Sequence, residues 1–210
     1  MIFNFTDNYQ FSTRLSIDGI PIVIVKDVKL LGTIISTNQA GLTWTKNTSN
    51  ITRKAYMRMQ LLHRLIEFGV AKTDLVNIYV LFIRSLCEQS AVVWHSSLTE
   101  ENRNNIERVQ KTALKIILQN EYTTYEAALR KTDLMSLDER RKTLCLNFAK
   151  GCLKNPLTSD MFPLNERGTT PKTRFTEKFK VYHANTERLK NSPIIYMQNL
   201  LNEDHRRTKD

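Results

Sequence analysis

The chain has 210 residues and a 41% hydrophobic content, enough to fill one large or two small cores, which excludes a protein disordered throughout. Lysine and arginine outnumber aspartate and glutamate 31 to 21, and the resulting +10 charge is the sign expected of a protein that meets phosphate or anionic lipid. Cys87, Cys145 and Cys152 form no CxxC pair and the four histidines lack metal-ligand spacing, which argues against a disulfide framework or a zinc site. With no uninterrupted apolar stretch near about 20 residues and no secretory signal, the expected location is intracellular, nuclear or cytoplasmic, without a membrane partner.

In chain order, residues 1–10 offer Phe3, Phe5 and Tyr9 as aromatic surface that so short a segment cannot bury, so a sheet is expected upstream. Residues 11–36 read as strand and hairpin. Leu15 and Ile17 flank Ser16, Asp18 and Gly19 form a turn pair, residues 22–25 are a β-branched run, and a short strand is expected at 29–35.

From Thr48 onward the apolar spacing changes from two to between three and four, the mark of helices. The first should run over about residues 49–68, with Ile51, Ala55, Met59 and Leu62 inward and Gly69 as its left-handed stop. A second opens at Thr73 or Asp74 and continues toward Trp94; being apolar nearly all round, it is expected at the centre. Thr99 caps a third, whose Ile106, Val109, Ala113, Ile116 and Ile117 leave a basic outer face. A short turn of helix is predicted over 125–130. Ser136 and Glu139 then form a capping box for a helix to about Leu153, with Leu137, Leu144, Cys145, Phe148 and Cys152 as its apolar side. Residues 155–180, with Pro156, Pro163, Gly168 and Pro171, read as a mobile linker, and Ser192 with Pro193 opens a last helix over 194–201 before a frayed polar end. The organisation expected is residues 1–46 as strands and hairpin, 47–154 as a helical bundle, and 155–210 as linker and final helix. The fold class is therefore mainly α, a helical bundle preceded by a short β-hairpin.

Few residues carry chemistry. Asp7, Asp18, Asp27, Asp74, Asp133 and Asp138 are isolated, without the aspartate pair that would hold two metal ions, and the last two read as helix-start acids. No phosphate-binding loop, nucleophile elbow or HExxH pair is present. Trp44 and Trp94 suit core anchoring, His95 a structural role, and Cys145 with Cys152, seven apart, one buried helix face. Glu88 in an apolar helix requires a partner, and Arg84 at i−4 supplies one.

An ordered series of short motifs goes further. Lys29, Leu30, Gly32 and Leu42, Trp44, then Lys54 and Ala55, resemble the passage from palm to thumb in LINE-like, non-LTR retrotransposon reverse transcriptases. Asp74, Leu75, Ile83, Arg84, Glu88, Trp94 and His95, followed by Glu107, Arg108, Val109, Gln110 and Lys111, resemble the region after the palm, and Arg140, Arg141, Ser192 and Pro193 continue the likeness. It spans roughly residues 15–202, with Gln89 departing from the aromatic common at that place.

The resemblance implies a thumb-like bundle and a parent RNA-directed DNA polymerase whose fingers, catalytic palm and magnesium lie outside this sequence. As it stands the chain is not expected to be an enzyme; catalytic and metal residues are none. The expected partner is RNA–DNA hybrid or RNA, held weakly and without sequence preference, with the missing fingers and palm as a further partner. The candidate nucleic-acid contacts are Arg53, Lys54, Arg58 and Arg64 on the first long helix, Lys111 and Lys115 on the third, and Lys29 and Gly32 near the hairpin. The alternative is a degenerate or repurposed helical protein-interaction scaffold.

Overall fold

A computed structural model describes residues 16–23, 25–38, 41–165 and 177–208. The expectations placed on Phe3, Phe5, Asp7, Tyr9, Leu15, Gly168 and Pro171 lie outside the described residues. Asp18 and Gly19 both take left-handed φ, +50° and +78°, and close β1 (Ser16–Ile17) against β2 (Ile20–Pro21) as the turn pair predicts. The β-branched run does not prolong the strand. Pro21 has no N–H to offer a ladder, and Ile22, Val23 and Val25 are irregular.

The single strand expected over 29–35 is a hairpin instead. β3 (Asp27–Leu30) pairs with β4 (Thr33–Asn38) around Leu31 and Gly32, both at positive φ. Two consecutive left-handed residues reverse the chain at a point where strand periodicity gives no warning. β5 (Gly41–Thr43), not foreseen, completes a sheet of order β3-β4-β5.

The long helix α1 (Thr45–Glu67) begins four residues before the predicted start because tertiary contacts recruit its first turn. Asn47 Oδ1 accepts the Ile34 N–H of β4 at 3.0 Å, and the Thr48 hydroxyl donates to Asn102 Oδ1 at 3.0 Å. Gly69, at φ +74°, ends the helix as expected, with Gly69 N–H bonded to Ile66 O and Val70 N–H to Leu65 O.

Residues 72–88 form one helical rod in three parts: α2 (Lys72–Ile78), a π-helical turn (Tyr79–Arg84) and α3 (Ser85–Glu88). The sequence explains the π turn. Leu75, Tyr79, Ile83 and Cys87 recur every four residues, and all are buried. On a 3.6-residue helix that spacing drifts about 40° per step, and a turn with i→i+5 bonds carries more residues, which returns the stripe to the core. Ser90 then takes left-handed φ and breaks the rod before α4 (Ala91–Trp94). By length and composition alone the run Lys72–Ser97 is apolar enough to cross a membrane. Here its stripe from Leu75 to Trp94 faces the main core, and the expectation of a central helix holds on one side only. Leu81 is 76% exposed and Phe82 43%.

Thr99 caps α5 (Glu100–Leu118), its hydroxyl accepting the Asn102 N–H at 3.2 Å. The predicted short turn is α6 (Tyr125–Thr132), capped by Thr124, and Asp133 sits at its carboxyl end in left-handed conformation rather than at a helix start. The capping box of Ser136 and Glu139 opens α7 (Leu137–Leu153) as predicted. Leu137, Cys145 and Cys152 are buried on α7, whereas Phe148, expected inward, is exposed because Ala149 takes the inner position.

The linker is in part well packed. Phe162 and Phe179 are buried, and an isolated bridge joins Leu164 to Phe179. After α8 (Glu187–Lys190), α9 (Pro193–Arg207) runs six residues past its predicted end, through the segment expected to fray. Its buried amides do the work of a sheet edge: Asn202 exchanges two 2.9 Å hydrogen bonds with the Phe179 backbone, and Gln198 accepts Tyr182 N–H and donates to Met161 O. The fold is mainly α, with small antiparallel strands ahead of the helices. One core joins α1, residues 72–88, α4 and α5; a second joins α7 and α9 with Phe162 and Phe179.

Candidate nucleic-acid interface

Helix α1 carries five cations, Lys46, Arg53, Lys54, Arg58 and Arg64, against one acid, Glu67. Ile51, Ala55, Met59 and Leu62 turn inward, which sets the places of the rest. Arg53 and Arg64 lie roughly opposite that stripe, three turns apart, and are exposed. Lys54 and Arg58 lie on the flank toward the π turn and are half-buried. Arg58 already has structural work there: its guanidinium stacks 4.3 Å over the Phe82 ring and donates to the Phe82 carbonyl.

Lys111 and Lys115 are exposed on α5, covering the rings of Tyr125 and Tyr122 at 4.9 and 5.4 Å. Since α1 and α5 contribute their inner faces to one core, their outer faces turn away from each other. The structure therefore brings Arg53 and Arg64 onto one surface and Lys111 and Lys115 onto another. Lys29 is exposed on β3, and Gly32 occupies the hairpin turn at φ +85° with the Gln89 side chain lying against it. That contact gives Gln89 a packing role.

Charge pairing separates these candidates from ten of the other described cations, Lys190 with Glu187 among them. Lys46 pairs with Asp27, Lys72 and Lys131 share Glu121, Arg84 and Arg140 share Glu88, Arg103 and Arg141 meet Asp138, and Lys142 and Lys150 pair with Glu203 and Asp204. The expected Arg84–Glu88 lock is present at 2.9 Å, with Arg140 as a second cation the sequence did not reveal. Lys131 and Lys72 hold the Glu121 carboxyl down at about 2. Among the described residues, Lys29, Arg53, Lys54, Arg58, Arg64, Lys111 and Lys115 have no carboxylate at ion-pair distance.

Beneath these surfaces lies a polar junction that sequence reasoning missed. Glu107 accepts the Leu137 and Asp138 N–H groups, at 3.0 and 3.2 Å, and the Tyr125 hydroxyl. Gln110 accepts the Tyr79 hydroxyl at 2.7 Å and donates to Tyr125 and to Met135 O. Together they tie α5 to the amino end of α7, where negative charge is favoured by free amides. The sequence offered the run Glu107 to Lys111 and an acid and an amide three apart on a helix, but no sign of what they bind.

Deeper still, Arg141 is wholly buried, with Nε donating to His95 Nδ1 at 3.3 Å and Nη2 3.5 Å from Asp138. A donor at Nδ1 leaves the proton of a neutral His95 on Nε2, facing the Tyr196 hydroxyl at 3.3 Å. Burial, then the Arg141 charge, pushes the His95 pKa down. Burial likewise pushes the Cys87 thiol up to about 12 and Cys145 to about 11, as befits inert core thiols. Among the described residues, no three of His, Cys, Asp or Glu converge as a metal cage. Comparison with family models, with curated proteins and with solved structures gave no match to this chain.

Proposed function

We propose that the chain is a nucleic-acid-binding bundle of the kind that forms the thumb and connection of non-LTR retrotransposon reverse transcriptases. It would grip RNA–DNA hybrid or RNA through phosphate contacts centred on α1. The observation that carries this reading is the clustering of uncompensated charge on α1: among the described residues ten other cations pair with acids, while Arg53, Lys54, Arg58 and Arg64, four of the five cations of this one helix, do not. Such contacts fix a helix in register without reading its bases. In this reading polymerisation and its magnesium belong to a palm outside the sequence, and the chain itself is not an enzyme.

The test is fluorescence anisotropy with a labelled RNA–DNA hybrid across a salt series. Binding should weaken steeply with salt, and the pair Arg53→Gln and Arg64→Gln should flatten the log–log slope by about two, one unit for each phosphate that is no longer neutralised. A salt-independent affinity, or a slope unchanged in the double variant, overturns the reading. A second reading, an interaction scaffold without enzymatic activity, is favoured by Ile17, Ile20 and Val23, apolar residues exposed around β1 and β2. Light scattering after size-exclusion chromatography, with and without hybrid, separates the two.

A further inference from the structure

A helix apolar all round is ordinarily covered all round. The rod of residues 72–88 departs from this rule: its stripe from Leu75 to Cys87 is buried, yet Leu81 and Phe82 on the π turn are exposed at 76% and 43%. The exposed patch extends onto α1. Arg58 touches Phe82, and its helical neighbours Met57 and Leu61 are exposed at 60% and 37%. Lys54, one turn back on the same flank, joins Arg58 as a second cation without an acid. The result is an apolar strip with a cationic border.

We propose that this strip docks an amphipathic helix with an acidic polar face, contributed by a partner protein. The aliphatic side chains argue against nucleic acid here, because Leu61 and Leu81 offer neither charge nor a ring face to a strand. A second copy of the chain is disfavoured by mutual repulsion at +10. An acidic amphipathic helix satisfies both halves of the patch, apolar anchors on Leu81 and Phe82, and carboxylates on Lys54 and Arg58. The strip adjoins the proposed phosphate-binding face: Lys54 and Arg58 border both, and the Arg53 guanidinium reaches the Met57 sulfur at 3.7 Å.

The probe is a fluorescein-labelled synthetic helix with leucines on one face and glutamates on the other. A scrambled peptide of identical composition serves as its control, both being read by anisotropy against the full chain. The amphipathic peptide should bind at least about tenfold more tightly than the scramble, and Leu81→Ser with Leu61→Ser, which leaves Phe82 under Arg58, should weaken it by about tenfold. Hybrid binding, measured in parallel on the same folded double variant, should stay within about twofold, so the two ideas fail separately. Equal binding of both peptides reduces the patch to a polyanion surface and overturns the proposal. So does undiminished binding by the double variant, no binding by either peptide, or adsorption to anionic phosphatidylserine vesicles with no affinity for the peptide.

Discussion

Where α5 meets α7, Glu107 and Gln110 between them bind α6, α7 and the π turn, whereas none of the four residues of β1 and β2 is buried. The junction confers stability through groups that are costly to leave unpaired, and the outer hairpin contributes surface. The sheet β3-β4-β5 lies between these extremes, tied to the bundle through Ile34 and Asn47. Stability and exposed binding surface are thus segregated along the chain, with α1 spanning both.

Removing the Glu107 carboxylate should do the most damage. Glu107→Ala strands two amides at the start of α7 and the Tyr125 hydroxyl, and should lower unfolding stability by about 3 kcal/mol. Urea denaturation measures it, and a drop below about 1 kcal/mol would erase the contrast with the strands. Acid should act next. His95 has a folded pKa held at about 4, below the ordinary 6.5, so the unfolded chain takes up the proton first as pH falls between them. Stability is therefore present above 6.5 and lost as pH falls toward 4, by about 2 kcal/mol between pH 7 and 5. Comparing urea midpoints with those of His95→Gln isolates the effect; parallel pH profiles would refute it.

A milder change sharpens the middle of the comparison. Gly32→Ala places a side chain at φ +85° and should cost about 1 kcal/mol, seen as a lower thermal midpoint. Smallest of all, Ile17→Ser with Ile20→Ser should alter stability by less than about 0.5 kcal/mol, since both side chains are exposed in the folded chain. A larger destabilisation in the same urea assay would show that the outer hairpin belongs to the core after all.

Sequence alone determined what depends on neighbours along the chain: the helical period, the stop at Gly69, the caps at Thr99 and Ser136, the turn at Asp18 and Gly19, and the Arg84–Glu88 pair. Each is a matter of backbone geometry or of side chains within one turn, where spacing is information enough. The candidate cations of α1 were legible for the same reason, since the inward stripe of Ile51, Ala55, Met59 and Leu62 leaves them the outer face and flank. Tertiary structure decided the rest. It extended α1 to Thr45 through Asn47 and Thr48, folded residues 27–38 into a hairpin, and gave Arg58 to Phe82. It also buried Arg141 beside His95, separated the lysines of α5 from the arginines of α1, and left Leu81 and Phe82 uncovered. The hairpin turns on two adjacent left-handed residues that strand periodicity does not reveal; the other outcomes depend on partners about ten to a hundred residues away, and a pattern with a period of two or four residues carries no record of what will pack against it.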